Sequence, residues 1–250
     1  MNIGLALSGG GIRCIAHLGI LKAFEENNIR ISIISGTSAG AMIGALYSHG
    51  YRPEFILEKI ISTRFFKILR PSWSMQGMLN MDKIGDLLAE LLPENDFSAL
   101  KIPLIIAVTN LKKGITEYFD SGELIMPILC SSCIPVVFNP VQFNGNLYID
   151  GGILNNLPAQ PLTSRTDFII GSHCNPIDDN YERRGFKTLI ERTMLMAING
   201  NVKISKPLCN ILIEPSELKK FGGFELNKAD KIFTIGYKAG KKIIENNLIK

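Results

Sequence analysis

Apolar and polar positions follow two rhythms along the chain. Short runs rich in β-branched residues, at 2–8, 31–34, 101–110, 167–171 and 208–214, predict strands buried on both faces, as in a parallel sheet. Residues 114–119 predict an antiparallel neighbour of the 101–110 strand, and 145–149 a short strand ending at Asp150. Between these runs the period lengthens to that of helices: 14–26, 39–46, 53–61, 81–92, 123–133, a segment opening at Leu157-Pro158, 186–199 and 228–245. In the 81–92 segment Ile84, Leu87, Leu88 and Leu91 share one face, Asp82 stands where a cap belongs, and Pro93 follows the end. Alternation of this kind predicts one α/β domain over residues 1–250, three layers deep (α/β/α), with a mainly parallel central sheet.

The stretch 31–46 organises the rest. A buried strand runs into Gly36-Thr37-Ser38-Ala39-Gly40 and then into a helix of small residues. Gly-x-Ser-x-Gly between a strand and a helix is the setting of a nucleophile elbow, in which a serine is held in a strained turn with its hydroxyl at the helix N-terminus. Unpaired backbone N–H groups and the positive dipole end favour negative charge there. The plainer reading is a glycine-rich turn.

Composition narrows the classes. With 46% hydrophobic and 20% charged residues, 250 residues can bury a full core. A net charge of +4 supports only a weak preference for anionic surfaces and no nucleic-acid role, which would want a denser basic stripe. The apolar start is short, lacks a leading cation and runs into Ser8-Gly9-Gly10-Gly11, so a strand rather than a secretory signal is expected. Five scattered cysteines, an odd number, fit reduced thiols and a cytoplasmic location. Cys130-x-x-Cys133 has no second Cys/His pair nearby, so core packing is the first reading and a redox or metal role the second. No metal and no cofactor are expected.

Gly9-Gly10-Gly11-Ile12-Arg13-Cys14 follows the first strand. Consecutive glycines leave backbone N–H groups open to an anion. A dinucleotide fingerprint fails because its third glycine would be Cys14 and no acidic residue ends the next strand; a P-loop fails for want of Gly-Lys-Ser/Thr. An oxyanion hole built from Gly9, Gly10, Gly11 and Ile12 remains, on the same carboxyl edge of the sheet as Ser38.

Gly9-Gly10-Gly11-Ile12-Arg13, Gly36-Thr37-Ser38-Ala39-Gly40 and Asp150-Gly151-Gly152, with the block Ser131 to Pro140, together resemble the patatin-like phospholipase family over roughly residues 2–171. The resemblance implies a lipid acyl hydrolase with a Ser38–Asp150 dyad, Gly36, Gly40, Gly151, Gly152 and Arg13 as motif support, and phospholipids or other acyl esters as substrates. Cys14 departs from the pattern, where a glycine is usual. Arg13 either fixes the loop or meets a phosphate.

The order Ser38, Asp150, His173 also fits a Ser-His-Asp triad, so His173 is kept as an alternative base. A non-catalytic lipid- or anion-binding module is the reading from another class. Residues 64–73, mixing Arg64, Phe65, Phe66, Lys67, Arg70 and Trp73, are read either as core or as a flap touching a membrane surface. Lys238, Lys241 and Lys242 form a solvated face of the closing helix.

Overall fold

The computed structural model describes residues 1–63, 81–135, 137–182, 185–222 and 226–246. Its centre is a mixed sheet of eight strands: β1 (Ile3–Leu7), β2 (Ile33–Thr37), β3 (Leu104–Asn110), β4 (Ile115–Phe119), β5 (Val141–Phe143), β6 (Asn146–Ile149), β7 (Phe168–Ser172) and β8 (Ile211–Ile213). Their order is β5-β6-β3-β2-β1-β7-β8, with β4 also pairing β3. The β3-β2-β1-β7-β8 pairs are parallel and the β4, β5 and β6 pairs antiparallel. The mainly parallel α/β architecture expected from the alternating pattern is therefore present.

After β1 the chain moves to β2 on one side, whereas β7 and β8 lie on the other. The gap between the carboxyl ends of β1 and β7 is thus a topological switch point, the place where open α/β sheets leave a crevice. The glycine loop starts there.

Seven helices are described: α1 (Ile15–Glu26), α2 (Ala39–His49), α3 (Pro53–Ser62), α4 (Asp82–Leu91), α5 (Ile125–Ser132), α6 (Phe186–Ser205) and α7 (Ala229–Glu245). Alternate strand residues face opposite ways. Leu5, Leu7, Ile34, Leu104, Ile106 and Ile170 meet α1 to α5 and α7 in one large core, while Ala6, Ile33, Ile105 and Ile169 meet a smaller one with Leu157, Leu162 and Val202. Burying a side chain such as Phe24 contributes roughly 2–3 kcal/mol to that large core. α1 and α7 lie so close that a Cβ at Gly19 would fall on the backbone of Phe233 and Tyr237, one at Gly236 on that of Ala16, and one at Gly240 2.9 Å from the Ala23 Cβ.

Three expectations change. The helix expected from Leu157 is only a 3-10 turn, Gln160–Leu162. Pro158 O, a carbonyl of the expected first turn, accepts instead from Ser35 Oγ, and just ahead of it Asn155 O accepts from Thr37 Oγ1. α6 continues beyond residue 199 to Ser205, and Met81 rather than Asp82 stands at the N-cap of α4, where no side chain caps the helix. The 64–73 segment read as core or flap lies outside the described residues. No helix among the described residues is long and apolar enough to cross a membrane.

Candidate active site

Ser38 sits between β2 and α2 at φ 54°, ψ −127°. The other non-glycine residues with positive φ among those described are Asn28, Asn95 and Asn144, a residue type that tolerates such angles; Ser38 does not share that tolerance. The turn is tight enough to need its glycines, since a Cβ at Gly36 would come within 2.7 Å of Ala41 Cα and one at Gly40 within 2.6 Å of Leu7 O. The strained backbone is held from outside: Ser38 N–H donates to Ser131 Oγ at 2.8 Å, and that hydroxyl donates to Ala107 O on β3 at 2.7 Å. Ser38 O accepts the first helical bonds, from Ala41 and Met42.

Asp150 ends β6, which pairs antiparallel with the end of β3 and so returns the chain to the edge where β2 stops. Its N–H donates to Cys133 O at 2.9 Å, and its carboxylate accepts from Gly152 N–H at 2.7 Å. The Ser38 hydroxyl acts on the same carboxyl, pulling its pKa down. Both residues are only 7% exposed. Burial pushes the Asp150 pKa from 3.8 up to about 6, against the opposing pull of the Ser38 hydroxyl and the Gly152 N–H. A carboxylate so shifted is a stronger base than one in water, yet stays ionised at neutral pH.

The glycine loop lies against this pair: a Cβ at Gly9 would stand 3.0 Å from Ser38 Cβ. Gly9 donates its N–H to Asn156 O at 3.2 Å, so of the four residues expected to form the cradle it is the one whose amide is already committed. Gly10, Gly11 and Ile12 precede the first bond of the 3-10 turn Gly11–Cys14, and helix starts leave such N–H groups open. Gly11 has φ 59°. Arg13 follows in the same turn and is half-buried.

His173 is elsewhere. It ends β7, its Nδ1 bonds Glu214 Oε1 at 2.6 Å, and its Nε2 is buried with no hydrogen-bond partner, so it does not meet Ser38. Glu214, also reached by Lys206 at 2.9 Å, is held down to about 2, first by that histidine. The triad reading loses its base.

Cys14, where a family glycine is usual, packs with His17 and Cys174 under the loop, their ligating atoms within 4.8 Å of one another. Both imidazole nitrogens are engaged, Nε2 with Ser8 O and Nδ1 with Ser172 Oγ, which leaves no free ring lone pair for a metal. Cys130 and Cys133 have thiols pushed by burial up to about 12, which suits packing rather than redox or metal chemistry.

Beside Ala39, α2, α3 and α4 enclose an almost wholly apolar groove of about 450 Å³, counting the part open to solvent. Met42 and Leu46, Ile60, and Leu87 and Leu91 line it. The apolar face read on the 81–92 segment therefore does two jobs: Ile84 and Leu88 are core, and Leu87 and Leu91 furnish a wall.

Two features carried no motif. Ser131 lies in a block noted only for its resemblance, and its hydroxyl reaches Ser38 from a different helix. Asn175 is a lone asparagine after a strand, and its only sequence signal is a small polar residue at a parallel strand's carboxyl end.

A family model described as Patatin-like phospholipase matches residues 5–163. An uncharacterized NTE family protein of Mycobacterium tuberculosis is 33% identical over 186 residues, 71% of this chain and 52% of the mycobacterial one. A lysophospholipase NTE1 of Coccidioides immitis is 27% identical over 278 residues, 98% of this chain and 18% of the fungal one. The chain thus spans about half the length of the first and under a fifth of the second. Among solved structures, VipD from Legionella pneumophila matches with a TM-score of 0.57 at 17% identity, over 98% of this chain and 66% of VipD, a likeness of fold.

Proposed function

The chain belongs to the patatin-like phospholipase family, and from that premise we propose that it hydrolyses carboxylic esters of lipids, phospholipids or lysophospholipids, through an acyl-enzyme on Ser38. The observation that carries the reading is the buried Ser38 hydroxyl acting on the buried Asp150 carboxyl, with an apolar groove beginning at the adjoining Ala39. Asp150 takes the hydroxyl proton as Ser38 attacks the acyl carbonyl. Negative charge on the carbonyl oxygen is met by the N–H groups of Gly10, Gly11 and Ile12 and by the N-terminal end of the turn they open. Asp150 then hands the proton to the leaving alkoxide, and in the second half it accepts one from the water that frees the acid. The groove beside Ala39 takes the acyl chain, which removes water from around the carboxylate and preserves its basicity. Arg13 serves the loop. Five free cysteines, four of them buried, suit a reducing compartment.

Turnover of a p-nitrophenyl acyl ester by the native protein, Ser38→Ala and Asp150→Asn tests this. Loss of about a thousandfold in both variants is expected, the range of a missing nucleophile or base. Equal rates in all three would remove the dyad.

A further inference from the structure

We propose that Asn175 is a positioning residue that sets the direction of the oxyanion-binding amide at Gly10; the inference rests on the hydrolase reading above. Asn175 lies beyond the matched segment, just after β7, and is fully buried. Its Nδ2 donates to Gly9 O at 2.5 Å, and Asn156 Nδ2 reaches the same oxygen at 3.4 Å. A carbonyl oxygen only accepts, so the nitrogen end of the Asn175 carboxamide must be the one that faces Gly9.

The consequence follows from the planar trans peptide, whose C=O and N–H point in opposite directions. Holding Gly9 O toward the carboxamide turns the Gly10 N–H away from it, and that N–H has no acceptor among the described residues. The other end of the carboxamide, Oδ1, presses on Gly10, where a Cβ would stand 2.7 Å away. That Oδ1 is itself buried without a hydrogen-bond partner, a cost to stability that packing alone does not require. Two glycines in sequence make the peptide between them easy to flip, so its orientation has to come from a neighbour.

The neighbour is well anchored. Cys174 N–H donates to Ser8 Oγ at 3.0 Å, and Asn199 Nδ2 donates to Asn175 O at 3.0 Å from α6. The loops after β1 and β7, on the two sides of the switch point, are stitched together by the Cys174–Ser8 and Asn175–Gly9 bonds, and α6 braces the second loop through Asn199.

Asn175→Asp keeps the shape and reverses the message. Its carboxylate repels Gly9 O and attracts the Gly10 N–H, drawing the amide away from the substrate. Asn175→Ala merely releases the peptide. With a short soluble ester, kcat is expected to fall about 100-fold for Asn175→Asp and about 10-fold for Asn175→Ala, with KM within threefold in both, since one oxyanion donor is worth 10²–10³ in kcat. Thermal unfolding of each variant gives the folded fraction at the assay temperature, and Ser38→Ala is assayed alongside. A wild-type rate in Ser38→Ala would sink the hydrolase reading itself. If Ser38→Ala is inactive, three results would overturn the role of Asn175 alone: an unchanged kcat in Asn175→Asp, a loss that merely follows the unfolded fraction, or a rise in KM with kcat intact.

Discussion

The two faces of the sheet are covered by different chemistry. On one, α1 to α5 and α7 bury leucine, isoleucine and phenylalanine in a continuous apolar layer. On the other, only a few apolar side chains pack, and the segment from 150 to 166 and α6 are fastened by polar groups. Thr37 Oγ1 bonds Asn155 O, Asn155 Nδ2 bonds Tyr118 and Gln160, Gln160 bonds Ser205, and Asn201 bonds Asn156 N–H and Gly152 O. Apolar contact has no direction and tolerates small shifts, whereas a hydrogen bond fixes where a particular backbone atom points. The polar face orients the glycine loop after β1 through Asn156 and the turn after β6 through Asn201, while the turn after β2 is held from the first face by Ser131 of α5. Most of the apolar burial lies on the first face and most of these aligning bonds on the second.

That division can be broken at several points. The largest effect is expected at the carboxylate: Asp150→Asn should lower kcat/KM at pH 8 by about a thousandfold or more, while native kcat/KM should fall below an apparent pKa of about 6, the value to which burial raises this group. A pH profile with no acid limb near 6 would contradict it. Next, Phe24→Ala in the apolar layer should cost about 3–5 kcal/mol of unfolding free energy and leave kcat at 20 °C within twofold. Asn201→Ala on the polar face should cost only about 1–2 kcal/mol, yet lower kcat about tenfold. Denaturant titration and kinetics on the two proteins decide it, and a shared ratio of stability loss to activity loss would erase the contrast.

A third, smaller effect concerns the stability of Asp150 itself. Its folded pKa lies above the unfolded one, so the folded state binds the extra proton between about pH 4 and 6 and stability falls as pH rises through that window. Above it the ionised carboxylate costs about 3 kcal/mol. Asp150→Asn should therefore be more stable than the native protein at pH 8 and lose that advantage near pH 4. Smallest, Ser38→Gly should be about 1 kcal/mol more stable than Ser38→Ala, because glycine accepts φ 54°, ψ −127° without strain.

The apolar face was legible in the sequence because its signal is periodic: β1, β3 and the helices from α1 to α4 follow from spacing alone. The three-residue β5 is too short to show a period, and it went unread. On the polar face local rules gave the wrong answer twice. Pro158 and the residues after it suggest a helix start, and Asn199-Gly200-Asn201 suggests a helix end. Both are overruled by partners far along the chain: Ser35 claims the Pro158 carbonyl in the first segment while Thr37 holds Asn155 O just before it, and Asn201 is fastened to Gly152 in the second. At the site, Ser38 and Asp150 were visible as motif positions, while Ser131 and Asn175 were not. A side chain that acts by holding someone else's backbone leaves no spacing rule to find.

The glycines between α1 and α7 join those helices without a cushion of side chains. The pair behaves as one splint, and the turn that opens α1 is mounted on its tip. A displacement of the last helix is carried by backbone contact, over the width of a single cylinder, to the glycine loop that precedes α1.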